Sequence, residues 1–262
     1  MSPARRRLLT GLAVLVVLAL AVGLGVRLLA GGGTAATPAV PQDRPGPVLL
    51  VPGYGGSTTS LQVLAGRLRA AGHEAVVVSL PGDGRGDLES YVPVLDAAAQ
   101  AALGRGAPSV DVVGYSAGGV VARLWAADGG ARVARRIVTL GSPSHGTGLA
   151  EVGARYAPAA CPQACRQLVP GSALLDALNA GDETPDGPAW LSLWTALDRT
   201  VTPPDSARLA GALNLQLQDL CPRAETAHSD LPRDARVQGV VLAALGAGPL
   251  ALPGSCPAGQ VG

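Results

Sequence analysis

The sequence predicts an α/β domain built on a mostly parallel central sheet with helices on both faces. Three observations predict it. Short apolar runs of strand length recur along the chain, single amphipathic segments of helix length separate them, and one strand passes straight into a helix through a sharp glycine-flanked turn. Single-helix crossovers return the chain to the same end of the sheet, so successive strands lie parallel. Strands covered on both faces read as continuous apolar runs.

Residues 48–51, Val-Leu-Leu-Val, form the first strand and end at Pro52-Gly53. Residues 57–71 carry Leu61, Leu64, Ala65 and Leu68 on one helical face, and Gly72 closes that helix. A strand over 75–80 and the turn Pro81-Gly82-Asp83-Gly84 lead to a second helix over 87–103 with an acidic first turn. Asp87, although part of an Arg85-Gly86-Asp87 adhesion-like tripeptide, reads as the cap of that helix. Residues 110–113 then read as strand, 117–127 as helix and 137–140 as strand. Strands over 191–196 and 213–217 and a helix over 235–245 complete the alternation, with Trp190 and Trp194 as core residues. The interval 149–189 is the long insertion at the carboxyl end of the sheet, and it holds Tyr156, a cysteine pair and a short helix over 172–179. It is too short for a large hinged lid, so little or no cap domain and a fairly open site are expected. So few aromatic residues also argue against a broad lipid-penetrating surface.

Charged residues are 15% and hydrophobic ones 48% of the 262 positions, which excludes a disordered charged chain. All 20 basic residues are arginine, so a Walker-type phosphate loop, a Schiff-base lysine and a Ser-Lys pair are excluded. A net charge of +1 gives no footprint for nucleic acid, and none is expected as a partner. That charge is uneven. Arg5, Arg6 and Arg7 precede an uncharged 19-residue run, 8–26, which as a helix spans roughly 28 Å. Segment 1–30 therefore reads as a cytoplasmic arginine cluster followed by a membrane anchor. The alternative is a cleaved export signal, although such signals have cores of about 7–15 residues and a small-residue cleavage site. Residues 31–46 form a flexible linker rich in Gly, Pro, Ala and Thr, and 47–262 form the domain, lying outside the cytoplasm. A monomer is expected.

That compartment permits disulfides. Of the three pairings open to Cys161, Cys165, Cys221 and Cys256, we expect Cys161–Cys165 as a local staple and Cys221–Cys256 tying the carboxyl tail to the domain. A zinc site lacks a second pair or a histidine at ligand spacing, so no metal is expected.

The chemistry points to Gly114-Tyr115-Ser116-Ala117-Gly118, a G-x-S-x-G pentapeptide between strand and helix. In that context the turn lifts Ser116 Oγ above the carboxyl end of the sheet as a nucleophile. The alternative is an ordinary glycine-rich turn with a capping serine. A nucleophilic serine needs a base, and the chain has only His73, His145 and His228. Because the partners of such a serine follow in the order acid then histidine, His228 is the base. His145 reads as a loop or pocket-wall residue and His73 as surface. Asp198, at the end of the 191–196 strand, is the acid that holds the imidazole. Asp182, Asp186 and Asp205 lie in loops, and Asp219 and Asp230 fall too near His228 in sequence. Backbone N–H groups of Ala117 and of Tyr54, in Pro52-Gly53-Tyr54-Gly55-Gly56, would hold an oxyanion.

Pro-Gly-Tyr-Gly-Gly, Gly-Tyr-Ser-Ala-Gly-Gly and Leu-Gly-Ser-Pro-Ser-His-Gly-Thr, followed by Asp198 and His228, resemble the small secreted bacterial lipases and esterases of the α/β-hydrolase superfamily. The resemblance covers roughly residues 46–246. It implies the α/β-hydrolase fold and hydrolysis of a small-molecule or lipid carboxylic ester by Ser116, Asp198 and His228. It also implies Tyr54 and Ala117 as oxyanion donors, and no metal or organic cofactor. Short- to medium-chain esters are expected. Two positions depart from the pattern: Pro52 replaces a histidine common in relatives, and Ser144 replaces one histidine of a His-His-Gly-Thr run. An acyltransferase or thioesterase on the same residues, or a catalytically silent binding protein of the same fold, are the alternatives.

Overall fold

Neighbouring side chains of the first strand show how the sheet is covered. In β1 (Val48–Val51), Leu49 and Val51 join one buried cluster and Val48 and Leu50 the other, as the period of two requires. The structure, a computed structural model, describes residues 40–257. The expected anchor and most of the expected linker lie outside them. Among the described residues no helix is long and apolar enough to cross a membrane.

The other strands are β2 (Ala75–Val77), β3 (Val110–Tyr115), β4 (Ala134–Leu140), β5 (Ala189–Trp194) and β6 (Leu213–Gln216). They lie in the order β2-β1-β3-β4-β5-β6, each neighbouring pair parallel. The helices among the described residues are α1 (Thr59–Ala70), α2 (Val92–Gly104), α3 (Ala117–Ala127), α4 (Gly148–Tyr156), α5 (Gln163–Gln167), α6 (Ala173–Asn179), α7 (Leu217–Leu220) and α8 (Ala235–Ala244). Leu95 and Ala99 of α2 and Val120 and Trp125 of α3 pack on one face of the sheet. Leu61, Leu64 and Leu68 of α1 and Val237 and Val241 of α8 pack on the other. The chain leaves β1 toward β2 and returns on the opposite side for β3, which opens a crevice between the carboxyl ends of β1 and β3.

Departures from the expected elements have local causes. β4 starts at Ala134, earlier than its apolar run, because two arginines enter a buried strand. Arg135 is fully buried and meets Asp111 of β3 with both ends of its guanidinium, Nε to Oδ1 at 3.0 Å and Nη2 to Oδ2 at 2.6 Å. Burial pushes the Asp111 carboxyl up to about 6, against the pull of Arg135. Arg135 also donates to the carbonyls of Gln42, Leu245 and Gly246, so the segment before β1 and the residues directly after α8 meet there. β5 stops at Trp194 because Thr195 turns its hydroxyl to Thr226 O and accepts from Leu197 N–H. The helix expected over 87–103 is a 3-10 turn, Glu89–Tyr91, and then α2 with Pro93 in its first turn. Asp87 Oδ1 accepts from Glu89 N–H just ahead of that turn, but the cap positions of the turn and of α2 are Leu88 and Tyr91, so Asp87 does not cap the helix as expected. α4, whose Gly148 and Gly153 obscure its pattern, is not among the expected helices, nor are α5 and α7. Both disulfides join the expected partners, Cys161–Cys165 and Cys221–Cys256.

Candidate active site

Ser116 is the one non-glycine among the described residues with a positive φ, at φ 54° and ψ −128°. Such a conformation costs on the order of 1–3 kcal/mol and persists only where the surroundings impose it. Here three backbones press together. A Cβ at Gly114 would strike the backbone of Gly118 and Gly119, and one at Gly118 would strike the carbonyls of Val51 and Pro52. Ser116 N–H donates to Leu140 O at 2.8 Å, which fixes the turn to β4.

Two loops bring partners to this hydroxyl. His228 opens a 3-10 turn, His228–Asp230, and its Nε2 lies 3.0 Å from Ser116 Oγ. Its Nδ1 lies 2.6 Å from Asp198 Oδ2. Asp198 follows β5, and its Oδ1 accepts from the N–H groups of Thr200 and Val201, each at 2.8 Å. With the carboxylate anchored in this way, Nδ1 carries the ring proton and Nε2 is free to accept from the serine. All three side chains are buried.

The β1 loop lies directly on the serine. A Cβ at Gly53 would come within 2.9 Å of Ser116 Cβ. Tyr54 follows, and among the described residues neither its N–H nor that of Ala117 has a protein acceptor. Ala117 opens α3, where unpaired N–H groups and the helix dipole favour negative charge. Gly55 N–H donates to Gly84 O at 3.1 Å and ties this loop to the β2 loop.

The other histidines stand elsewhere. His145 turns Nε2 to Glu183 at 2.9 Å and Nδ1 to Ser206 O at 3.1 Å, a loop-packing role. His73 precedes β2, at the far end of the sheet, where burial and Arg135 lower its pKa. Pro52 is buried against Gly118, and Ser144 is buried with its carbonyl accepting from Asn179 at 3.0 Å.

Two residues of the site are not marked by the sequence reading. Tyr115 places its ring 5.3 Å from the His228 ring and donates its hydroxyl to His228 O at 3.2 Å. Burial, with the charges of Asp198 and Asp230 adding to it, pushes this phenol up to about 12, so it remains a neutral donor. Arg123 of α3 is buried and donates to Asn179 Oδ1 at 2.8 Å and to Glu183 O at 3.2 Å, pinning the insertion to the helix behind Ser116. Residue type at the x of G-x-S-x-G was the available signal for Tyr115; nothing in the spacing marks Arg123. A cleft of about 820 Å³ lies away from Ser116, Asp198 and His228, between α3 and the insertion, lined by residues such as Leu124, Ala127, Arg166 and Leu178. Among the described residues no group of three or more His, Cys, Asp or Glu is placed to hold a metal.

A parallel sheet with a strained serine at its switch-point crevice, met by a carboxylate-held histidine, defines the class, and sequence comparison agrees. The sequence profile of the alpha/beta hydrolase family matches residues 48–254, and the chain belongs to that family. No curated protein sequence matches it. Among solved structures it is similar to lipase B of Aspergillus fumigatus, with a TM-score of 0.65 and 19% identity over 77% of this chain and 52% of that one. It is also similar to the mature form of the Bacillus licheniformis lipase BlEst2, with a TM-score of 0.55 and 19% identity over 68% of this chain and 83% of that one. The chain thus spans about half the length of the fungal lipase. At these identities the likeness is one of fold.

Proposed function

We propose that this α/β hydrolase is a serine carboxylic-ester hydrolase acting outside the cytoplasm, held to the membrane by its amino-terminal segment or released by cleavage of that segment. The observation that carries the chemistry is the relay from Asp198 Oδ2 to His228 Nδ1 at 2.6 Å and from His228 Nε2 to Ser116 Oγ at 3.0 Å. Ser116 Oγ attacks the ester carbonyl carbon while its proton passes to His228 Nε2. The carbonyl π pair moves to oxygen, and the N–H groups of Tyr54 and Ala117 hold that oxyanion. Asp198 steadies the imidazolium. When the intermediate collapses, the C–O bond to the alcohol breaks and His228 returns its proton to the leaving alkoxide. Water then attacks the acyl-enzyme with its proton going to His228, which restores Ser116 and releases the acid. The lipases of like fold named above support an ester as substrate.

The test is turnover of p-nitrophenyl esters of increasing acyl length by the full chain. Ser116→Ala is expected to lower kcat by about 10⁴-fold or more with the circular dichroism spectrum unchanged. Unchanged turnover would end this reading. Labelling of Ser116 by a fluorophosphonate, abolished in His228→Ala, checks serine activation without a chosen substrate.

A further inference from the structure

The loops around Ser116 close into a ring. Tyr54 stands in the β1 loop, and Arg85 of the β2 loop lies 5.5 Å over its ring. Arg85 O accepts from Ala164 N–H of α5 at 3.2 Å. Beside it the Cys161–Cys165 bridge lies against Gly153 of α4. The other end of α4 is fastened to the Asp198 loop: Gly148 N–H donates to Thr202 O at 2.8 Å and Thr147 Oγ1 to Thr200 O at 2.7 Å. Leu197 belongs to that loop, and Asp198 leads back to His228.

Exposed apolar side chains follow this ring. Leu149, Val152 and Tyr156 recur on α4 at spacings of three and four, which puts them on one stripe, while Ala150 turns inward. Leu149 and Val152 are each 55% exposed and Tyr156 is 72% exposed, with Leu197 and Tyr54 at 47% and 39%. The remaining large hydrophobics this exposed among the described residues are Val63 and Val76, so exposure is concentrated here. Two tyrosines of the ring carry a guanidinium on their faces, Arg85 over Tyr54 and Arg155 over Tyr156, the latter at 5.4 Å. Asp83, Asp87 and Glu151 share these segments and an exposed Arg199 stands on the Asp198 loop, so any attraction for anions rests on where the guanidiniums sit and not on net charge.

We propose that this ring is a preformed docking face for a phospholipid surface, with the α4 stripe, Leu197 and Tyr54 entering the acyl layer and Arg85 and Arg155 meeting phosphates. The inference rests on the ester-hydrolase reading and deepens it by naming where the ester resides. Tyrosine capped by arginine suits the headgroup level, where an apolar body and a cationic tip are both satisfied. An amphipathic helix lying in the interface plane needs such an apolar stripe. The occupant must cover residues on three loops and still deliver an ester to the serine between them.

The test uses the full chain carrying Ser116→Ala and a short-chain phosphatidylcholine bearing a diazirine on its acyl chain. Above the micelle-forming concentration, photolabel is expected in the peptides holding Leu149–Tyr156 and Leu197, at least about fivefold over the α1 peptide holding Val63. The triple change Leu149→Ser, Val152→Ser and Tyr156→Ser is expected to remove that label. In the Ser116 background it should leave p-nitrophenyl acetate turnover within about twofold and the unfolding temperature unchanged. Equal labelling below the micelle-forming concentration would overturn the proposal in favour of a soluble acyl site. Labelling that survives the triple change, or a lipid-free dimer that the triple change dissociates, would also overturn it. Specific labelling in a protein that fails to hydrolyse p-nitrophenyl acetate would keep the docking face and remove the ester-hydrolase reading instead.

Discussion

Tyr115 couples the turn that strains Ser116 to the histidine that faces its hydroxyl. Its hydroxyl holds the backbone of His228, and its ring lies beside the imidazole. Tyr115→Phe keeps the ring and deletes one buried hydrogen bond, worth about 1 kcal/mol. If that energy positions the base, kcat for an ester falls roughly fivefold with KM unchanged. The pH sign follows from the raised pKa. A phenol that holds its proton more tightly in the folded chain contributes stability fully below about pH 10, the ordinary tyrosine value. That contribution disappears as pH rises through about 12. The stability gap between the parent chain and the Tyr115→Phe variant, followed by urea denaturation, should therefore stay flat through neutral pH and narrow only above about pH 10.

At the scale of elements, the insertion between β4 and β5 is held by a bridge, a buried arginine and backbone hydrogen bonds. The two disulfides differ in what they close. Cys161–Cys165 encloses a separation of 4 residues and Cys221–Cys256 one of 35. Chain entropy makes the longer loop the larger contributor, roughly 4 kcal/mol against about 2 kcal/mol. Replacing Cys221 and Cys256 together with serine should lower the unfolding midpoint more than replacing Cys161 and Cys165. Calorimetry of the two double variants checks the order. The local bridge is instead expected to act on the site, because it braces α4 and, through Ala164 and Arg85, the loop beside Tyr54.

Over the whole molecule, the two ends of the sheet have separate tasks. The carboxyl end carries Ser116, Asp198, His228 and the apolar ring. The amino end carries Asp111 and Arg135, which gather Gln42 and the segment after α8. Asp111→Asn leaves a fully buried guanidinium without its counter-charge, a loss of about 3–5 kcal/mol. Because the pair stands far along the strands from Ser116, the variant should show a much lower urea midpoint with kcat nearly unaltered in the folded fraction. A large fall in kcat at full folding would mean that the two ends are coupled.

Local pattern alone determined the alternation of strand and helix, the glycine-flanked turn at Ser116 and the cysteine pairing, and order along the chain singled out Asp198 and His228. Each of these is written in short-range periodicity, in glycine placement or in order along the chain. The first residue of β4 was not legible, because an arginine reads as polar until Asp111 on the next strand neutralises it. Nor were α4, whose glycines dilute its pattern, or Tyr115 and Arg123, whose partners lie 113 and 56 residues away. Folding also decided that Tyr54, Leu149, Val152, Tyr156 and Leu197 share one rim. They stand on three segments, the β1 loop, α4 and the Asp198 loop, and only a parallel sheet, which sends successive crossovers out at the same end, brings those segments together.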